Sequence, residues 1–399
     1  MGYWRSLLED FRLVLSGNIG VLFLTWILLN FGHGMVNRFN GVYFSALGAS
    51  DIILGFMGSL TFGMMALLQI PGGYLADVFG RRRVIVIFTT LMAFSMLIFA
   101  FAPSWEYIVI GLIISNVALL YQPALFSIMI DSLPATRRAE GYAITNLSML
   151  PGVIAPTIGG ALILYYGTVG GMRIGYFVLF ILSLVSAILR LRLRETVRIE
   201  KHNRPGFFES FKIIGELSNR AKGLILTNML ISGAGGMVGY FVVKYAYTYT
   251  TSVLYGIAMG LITLLLVFLS IPFGRKADAG RKEKYYVFGV LLLSASLAIF
   301  TIPSVFALFS YSVLTGMGMA LMQPATQGLI GDYVSGEHRG RYTGVYLFLS
   351  YLSAMFLSGV AGYIYKINPN LLFLFSSSIY ALAAILAFFI LFKQNDLEN

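Results

Sequence analysis

The chain has no cysteine among its 399 residues, which excludes disulfides, thiolate nucleophiles and cysteine-ligated metal. Its three histidines lie far apart in sequence, so a metal site is not expected either. Charge is scarce: Asp, Glu, Lys and Arg make up 11% of the residues, against about a quarter in soluble domains. No GxxxxGK[ST] run occurs, so no phosphate-binding loop brings ATP to the chain. Nothing points to a cofactor or to enzymatic chemistry. What is abundant is apolar surface, with 58% hydrophobic residues and a mean hydropathy of +0.82. A water-soluble chain of this composition would expose large apolar patches, so the composition defines an integral membrane protein.

The apolar runs are too long and unbroken for the alternating pattern of a barrel, and each helical crossing needs about 20 residues. Charged and Pro/Gly punctuation divides the chain into twelve spans, at 18–47, 51–76, 83–102, 105–131, 139–167, 171–192, 221–248, 252–274, 285–302, 304–332, 341–365 and 369–392. The fold class expected is all-α and membrane-embedded. Residues 1–17 read as an amphipathic lead-in without the cleavage site of a signal peptide. The positive-inside rule sets the orientation. With the N-terminus cytoplasmic, 24 of the 28 basic residues fall in cytoplasmic segments, and only Arg173 and Lys366 in external loops. Both termini are then cytoplasmic, in the plasma membrane. The net charge of +11 is a topology signal and a match to anionic lipid headgroups, not evidence for nucleic acid.

A fixed internal offset organises the chain. QIPGGYLADVFGRRR (69–83) is echoed by SIPFGRKADAGRKEK (270–284), and QPALFSIMIDSLPATRRA (122–139) by QPATQGLIGDYVSGEHRG (323–340). Pro71, Gly73, Asp77, Gln122, Asp131 and Arg138 map to Pro272, Gly274, Asp278, Gln323, Asp332 and Arg339, each 201 residues on. Two pseudo-symmetric six-helix halves, 18–192 and 221–393, therefore flank a basic cytoplasmic linker at 193–220, with 394–399 as a cytoplasmic tail. Glycines at 73 and 274 allow close helix packing, and the carboxylates at span ends can meet basic residues or cap helices.

GYLADVFGRRR, between the second and third spans, resembles the loop signature of the major facilitator superfamily at Gly73, Asp77, Gly80, Arg81, Arg82 and Arg83. The second copy keeps Gly274, Asp278, Gly280, Arg281 and Lys282 but is one residue shorter. The resemblance spans the whole chain and implies a monomeric secondary transporter for a small-molecule substrate, built on that superfamily's twelve-helix fold. It implies a cytoplasmic gate of Gly73, Asp77, Gly80, Arg81, Arg83, Asp131 and Arg138, with Gly274, Asp278, Arg281, Asp332 and Arg339 in the second half. It also assigns the cavity lining chiefly to spans 1, 4, 7 and 10, near the membrane midplane.

Span 1 carries the most informative stretch, NFGHGMVNRFNG at 30–41. At 100° per residue, His33, Asn37, Arg38 and Asn40 all fall within about 80° of Asn30, opposite Phe31, Met35, Val36, Phe39 and Val42. One side suits a wet cavity and the other lipid or packed helices. An arginine at such depth must be paired, hydrated or snorkelling, so Arg38 reads as a contact for an anionic substrate, as a snorkelling residue or as a structural donor. Lys244 in span 7 has the same options. Further cavity candidates are Asn116, Tyr121, Gln122, Asn228, Tyr240 and Gln323. No Asp or Glu lies in a span interior, which leaves His33 as the intramembrane group for coupling to protons, the possible driving ion.

APTIGG (155–160) in span 5 is close to the superfamily's antiporter motif, with Pro156, Gly159 and Gly160 in place. It favours export of drug-like amphipathic molecules, although generic helix packing explains it equally. Carriage of a small organic anion through Arg38 and Lys244 is the alternative. A membrane sensor or lipid-handling protein of the same fold is a third reading, which an appended soluble domain would favour.

Overall fold

The computed structural model describes residues 17–132, 147–196, 211, 213–336 and 338–392. Helices α1 (Gly17–Ala46), α3 (Arg81–Phe101), α4 (Trp105–Ser132), α8 (Ser252–Asp278), α9 (Lys282–Phe300), α10 (Val305–Tyr333) and α11 (Arg339–Ile367) are each long and apolar enough to cross a membrane. So is the first part of α2 (Asp51–Phe79). The twelfth helix, α12 (Pro369–Ala387), ends in a short π-helical turn, Phe388–Phe392. The continuous helix Pro151–Arg190 is two crossings, α5 (151–166) and α6 (168–190), because Gly167 breaks it at φ 74°, ψ 167°. Helix α7 is Asn219–Val238 followed by Phe241–Ala246. Among the described residues, ten helical segments are long and apolar enough to cross a membrane, the merged Leu147–Arg190 counting as one of them.

Hydroxyl caps start several helices at one end of the bundle. Ser50 accepts from the Ile53 amide, Thr251 from Leu254 and Ser304 from Ala307, each satisfying an otherwise orphaned N–H. Ser50 and Thr251 stand 201 residues apart, so the internal repeat extends to the caps. That end carries short links poor in charge. The opposite end carries Arg81, Arg82, Arg192, Arg275, Arg281 and Arg341 and is called the basic end. Apolar side chains such as Tyr165, Phe306 and Leu67 are largely exposed, as hydrocarbon-facing residues are.

The two halves meet through α2 against α11 and α5 against α8. The closest approaches lie in the charge-poor half of the bundle. Gly362 packs on the Asp51 carbonyl, Gly55 on Ser358, Gly160 on Ser252, and Gly256 on Pro156. Ser252 also donates a 2.7 Å hydrogen bond to the Gly160 carbonyl. Farther along α2, Met65 and Leu68 line an opening shared with Leu347 and Tyr351 of α11. The halves are joined at the charge-poor end, and the opening between α2 and α11 lies farther toward the basic end.

Candidate functional site

The polar stretch of α1 does not continue as regular helix. Asn37–Phe39 forms a 3-10 turn before the helix resumes at Asn40. In α7 the helix breaks at Gly239 and Tyr240, the positions 201 residues beyond Arg38 and Phe39. Non-helical backbone at such depth is tolerated where it lines a cavity or is buried in protein. The two broken segments touch: a Cβ on Gly41 would stand inside the carbonyl oxygen of Tyr240.

Two lobes flank the broken turn of α1. The first, of about 490 Å³, takes in Arg38, Tyr255, Ser296, Tyr311, Thr315 and Tyr380. The second, of about 650 Å³, takes in Trp26, Met65, Met92, Met96, Phe99, Asn116, Gln122, Tyr121 and Tyr240. Asn30, His33, Asn37 and Gly239 line both lobes. Asn30 donates to the Ser148 carbonyl at 3.0 Å, and Asn40 accepts from the Tyr176 hydroxyl at 2.5 Å. His33 Nδ1 is buried without a hydrogen-bond partner. Arg38 is exposed to the cavity.

Of the eleven cavity candidates, Asn30, His33, Asn37, Arg38, Asn116, Tyr121, Gln122 and Tyr240 converge on these lobes. The other three line neither lobe. Asn228 donates to Ser350 Oγ at 2.6 Å within the second half, and Gln323 is exposed elsewhere on α10. Lys244 is ion-paired with Asp51 of the opposite half and lies 5.7 Å from the Tyr365 ring centroid. Its role in the structure is a cross-half contact at the charge-poor end.

At the basic end, Arg81 is ion-paired with Asp131 and donates to Thr196 Oγ1 at 3.0 Å. Lys282 pairs with Asp332 at 2.7 Å. The two pairs are symmetry copies, each spanning 50 residues and lying 201 apart. Each lies inside one half, tying α3 to α4 and α9 to α10. The partner of Asp332 is therefore Lys282, where the repeated Asp and Arg of the neighbouring loop pointed to Arg339. Gly80 links α2 to α3 at φ 86°, a conformation that favours glycine, and the Arg82 amide donates to Glu195 beside it. Arg339 donates to the Gly331 and Val334 carbonyls, closing the end of α10. Gly274 packs α8 against Pro324 of α10. Arg83 and Asp278 are exposed. The surroundings of Gly73, the side chain of Asp77 and all of Arg138 lie outside the described residues.

The APTIGG segment is used for packing at every small position. Ala155 meets Gly34, Gly159 meets Met35 of α1, and Gly160 and the Pro156 carbonyl meet α8. The motif thus builds the α1–α5–α8 junction between the halves.

Arg190 was hidden from the sequence. Counted there as a cytoplasmic anchor, it is completely buried. Its guanidinium donates to Thr25 at 3.3 Å and Thr89 at 2.6 Å and lies 5.0 Å from the Tyr121 ring centroid. Removing it from the cytoplasmic tally leaves the charge asymmetry intact. A basic residue at a span end gives no signal that separates an anchor from a buried donor.

A bundle of long apolar helices, with a 201-residue sequence repeat and a cavity around the broken turn of α1, is an architecture suited to carrying a solute. The chain belongs to the Major Facilitator Superfamily, whose family model matches residues 16–278 and 224–398, and it is a multi-pass membrane transporter of that superfamily. It is 25% identical over 340 residues to a multi-drug resistance efflux pump PmrA homolog of Lactococcus lactis, covering 79% of this chain and 81% of the relative. It is 23% identical over 336 residues to the minor myo-inositol transporter IolF of Bacillus subtilis, covering 78% and 76%. Among solved structures, a bacterial homolog of the human lysosomal transporter Spinster, inward-facing and unoccupied, matches with a TM-score of 0.74 at 18% identity, covering 96% of each chain.

Proposed function

We propose that the chain is a secondary active transporter of the cytoplasmic membrane that moves a small organic solute by rocking its two halves about the midplane cavity. The observation that carries this reading is one-sided closure. Backbone-to-backbone contacts join the halves at the charge-poor end, while the lobes around α1 lie between the halves. With both termini cytoplasmic, as the positive-inside rule has it, the state is inward-open. Closing the basic end would bring the Asp77 and Asp278 regions of the two halves together, which is the gating role for the signature. His33 is the group available to couple the cycle to protons.

Export of amphipathic molecules is favoured by the methionine- and aromatic-rich lobe and by likeness to an efflux-pump relative. Energised inverted vesicles carrying the protein are expected to accumulate fluorescent amphipathic dyes. Asp77→Asn vesicles with the same protein content should lose at least four-fifths of that rate. Accumulation by neither anionic nor cationic dyes would contradict export. Full activity in the variant would contradict the gate. A small organic anion is the second reading, favoured by Arg38.

A further inference from the structure

Among the described residues, the lining of these cavities contains no aspartate or glutamate, and Arg38 is its only Lys or Arg side chain. No ion pair engages Arg38 among the described residues. Lys244, in the segment of α7 after its break, is paired with Asp51 outside the lobes. The site therefore holds one uncompensated positive charge. Water can solvate it while the basic end is open. Once both ends are shut and water is displaced, a buried guanidinium without a counter-charge is costly. The solute itself must then bring the negative group.

Two neighbours strengthen the assignment. His33 Nδ1 is buried with no partner and lines the junction of the lobes, and Asn37 is exposed beside Arg38. Both can bond a polar head held by the guanidinium. The adjoining lobe has a different chemistry. Met65, Met92, Met96 and Phe99 line it, and thioethers and aromatic rings adapt to flat apolar bodies of varied shape. The lobes meet at Asn30, His33 and Asn37, so one molecule can reach both.

Building on the transport reading, we infer that the solute is an amphipathic organic anion, with its carboxylate or comparable acidic head on Arg38 and its apolar body in the methionine-lined lobe. A cation of the same body meets an unopposed positive charge and is rejected.

The test uses the purified full chain and three compounds of one shape: 2-naphthylacetate, its neutral amide, and 2-(2-naphthyl)ethylammonium. Calorimetry is expected to show naphthylacetate binding at least tenfold tighter than the amide, and no ammonium binding. Arg38→Gln should bring naphthylacetate down to the affinity of the amide while leaving the amide unchanged, and Arg38→Lys should keep most of the preference. Acetate alone should bind about a hundredfold more weakly, for want of the apolar body. The unliganded variants must elute and unfold like the parent, which separates lost recognition from lost structure. Ammonium binding equal to the anion, or an unchanged anion affinity in Arg38→Gln, would overturn the assignment. Flux in liposomes is read separately. Charge-selective binding without flux upholds the anion site and overturns the transport reading. Flux without charge selectivity does the reverse.

Discussion

Gly41→Val is expected to force the charge-poor end open and to cut transport at least tenfold. Gly41 lies where the resumed helix of α1 meets the broken turn of α7, and even a Cβ would occupy the space of the Tyr240 carbonyl oxygen. Backbone cannot yield as a flexible side chain can, because Phe241 and Val243 beside the contact are themselves buried. The strain is confined to the state in which the two segments touch, so its relief favours the opposite state. A transporter biased to one state by about 3 kcal/mol populates the other at under 1%. The chain has no native cysteine, which makes the measurement direct. In an Asn40→Cys background, a membrane-impermeant maleimide added from the charge-poor side should label the valine variant and spare the parent. Equal labelling would contradict the contact. Lys244→Met removes a cross-half ion pair whose side chains are 30% and 22% exposed, so it should act in the same direction by only about 1 kcal/mol.

Arg190→Ala is expected to destabilise the first half by roughly 2–5 kcal/mol, the range for emptying a large buried site, whereas Arg190→Met should stay near the parent. The guanidinium is fully buried among α1, α3, α4 and α6, and among the described residues its partners are hydroxyls and a ring, not a carboxylate. No ion pair is lost with it, and replacing a buried charge by an apolar side chain of like volume is often neutral or favourable. The threonines are not stranded either. Thr25 also donates to the Leu22 carbonyl and Thr89 to the Ile85 carbonyl. Thermal unfolding of both variants in one detergent checks the pair of outcomes. Methionine falling as far as alanine would mean that the charge itself holds the fold.

These contrasts mark where sequence reasoning stops. The spans were legible because hydrocarbon demands about 20 apolar residues per crossing, and the halves because a 201-residue offset survives in motifs and in the Ser50 and Thr251 caps. Eight polar residues of α1, α4 and α7 were legible as cavity lining because an unpaired polar group in lipid is too costly to be incidental. The break at Asn37–Phe39 was not, since sorting at 100° per residue presumes unbroken helix. Lys244 was placed at the cavity because its partner, Asp51, is 193 residues away in the other half, a separation that no local pattern reports. Arg339, seven residues from Asp332 in sequence, suggests a local pair, but its guanidinium closes the end of α10 and Asp332 is held by Lys282. The structure instead preserves the 50-residue spacing of Arg81 and Asp131.

Reciprocal movement of the two ends is the most direct test. Two spin-labelled cysteine pairs in the otherwise cysteine-free chain, Ala46 with Thr248 at the charge-poor end and Val78 with Arg341 at the basic end, can be measured by pulsed dipolar spectroscopy in lipid. Without solute, the first pair should be close and the second far apart. The Gly41→Val background should lengthen the first distance and shorten the second together. Distances that shift in the same direction, or a basic end that stays open whenever the charge-poor end opens, would contradict alternating access.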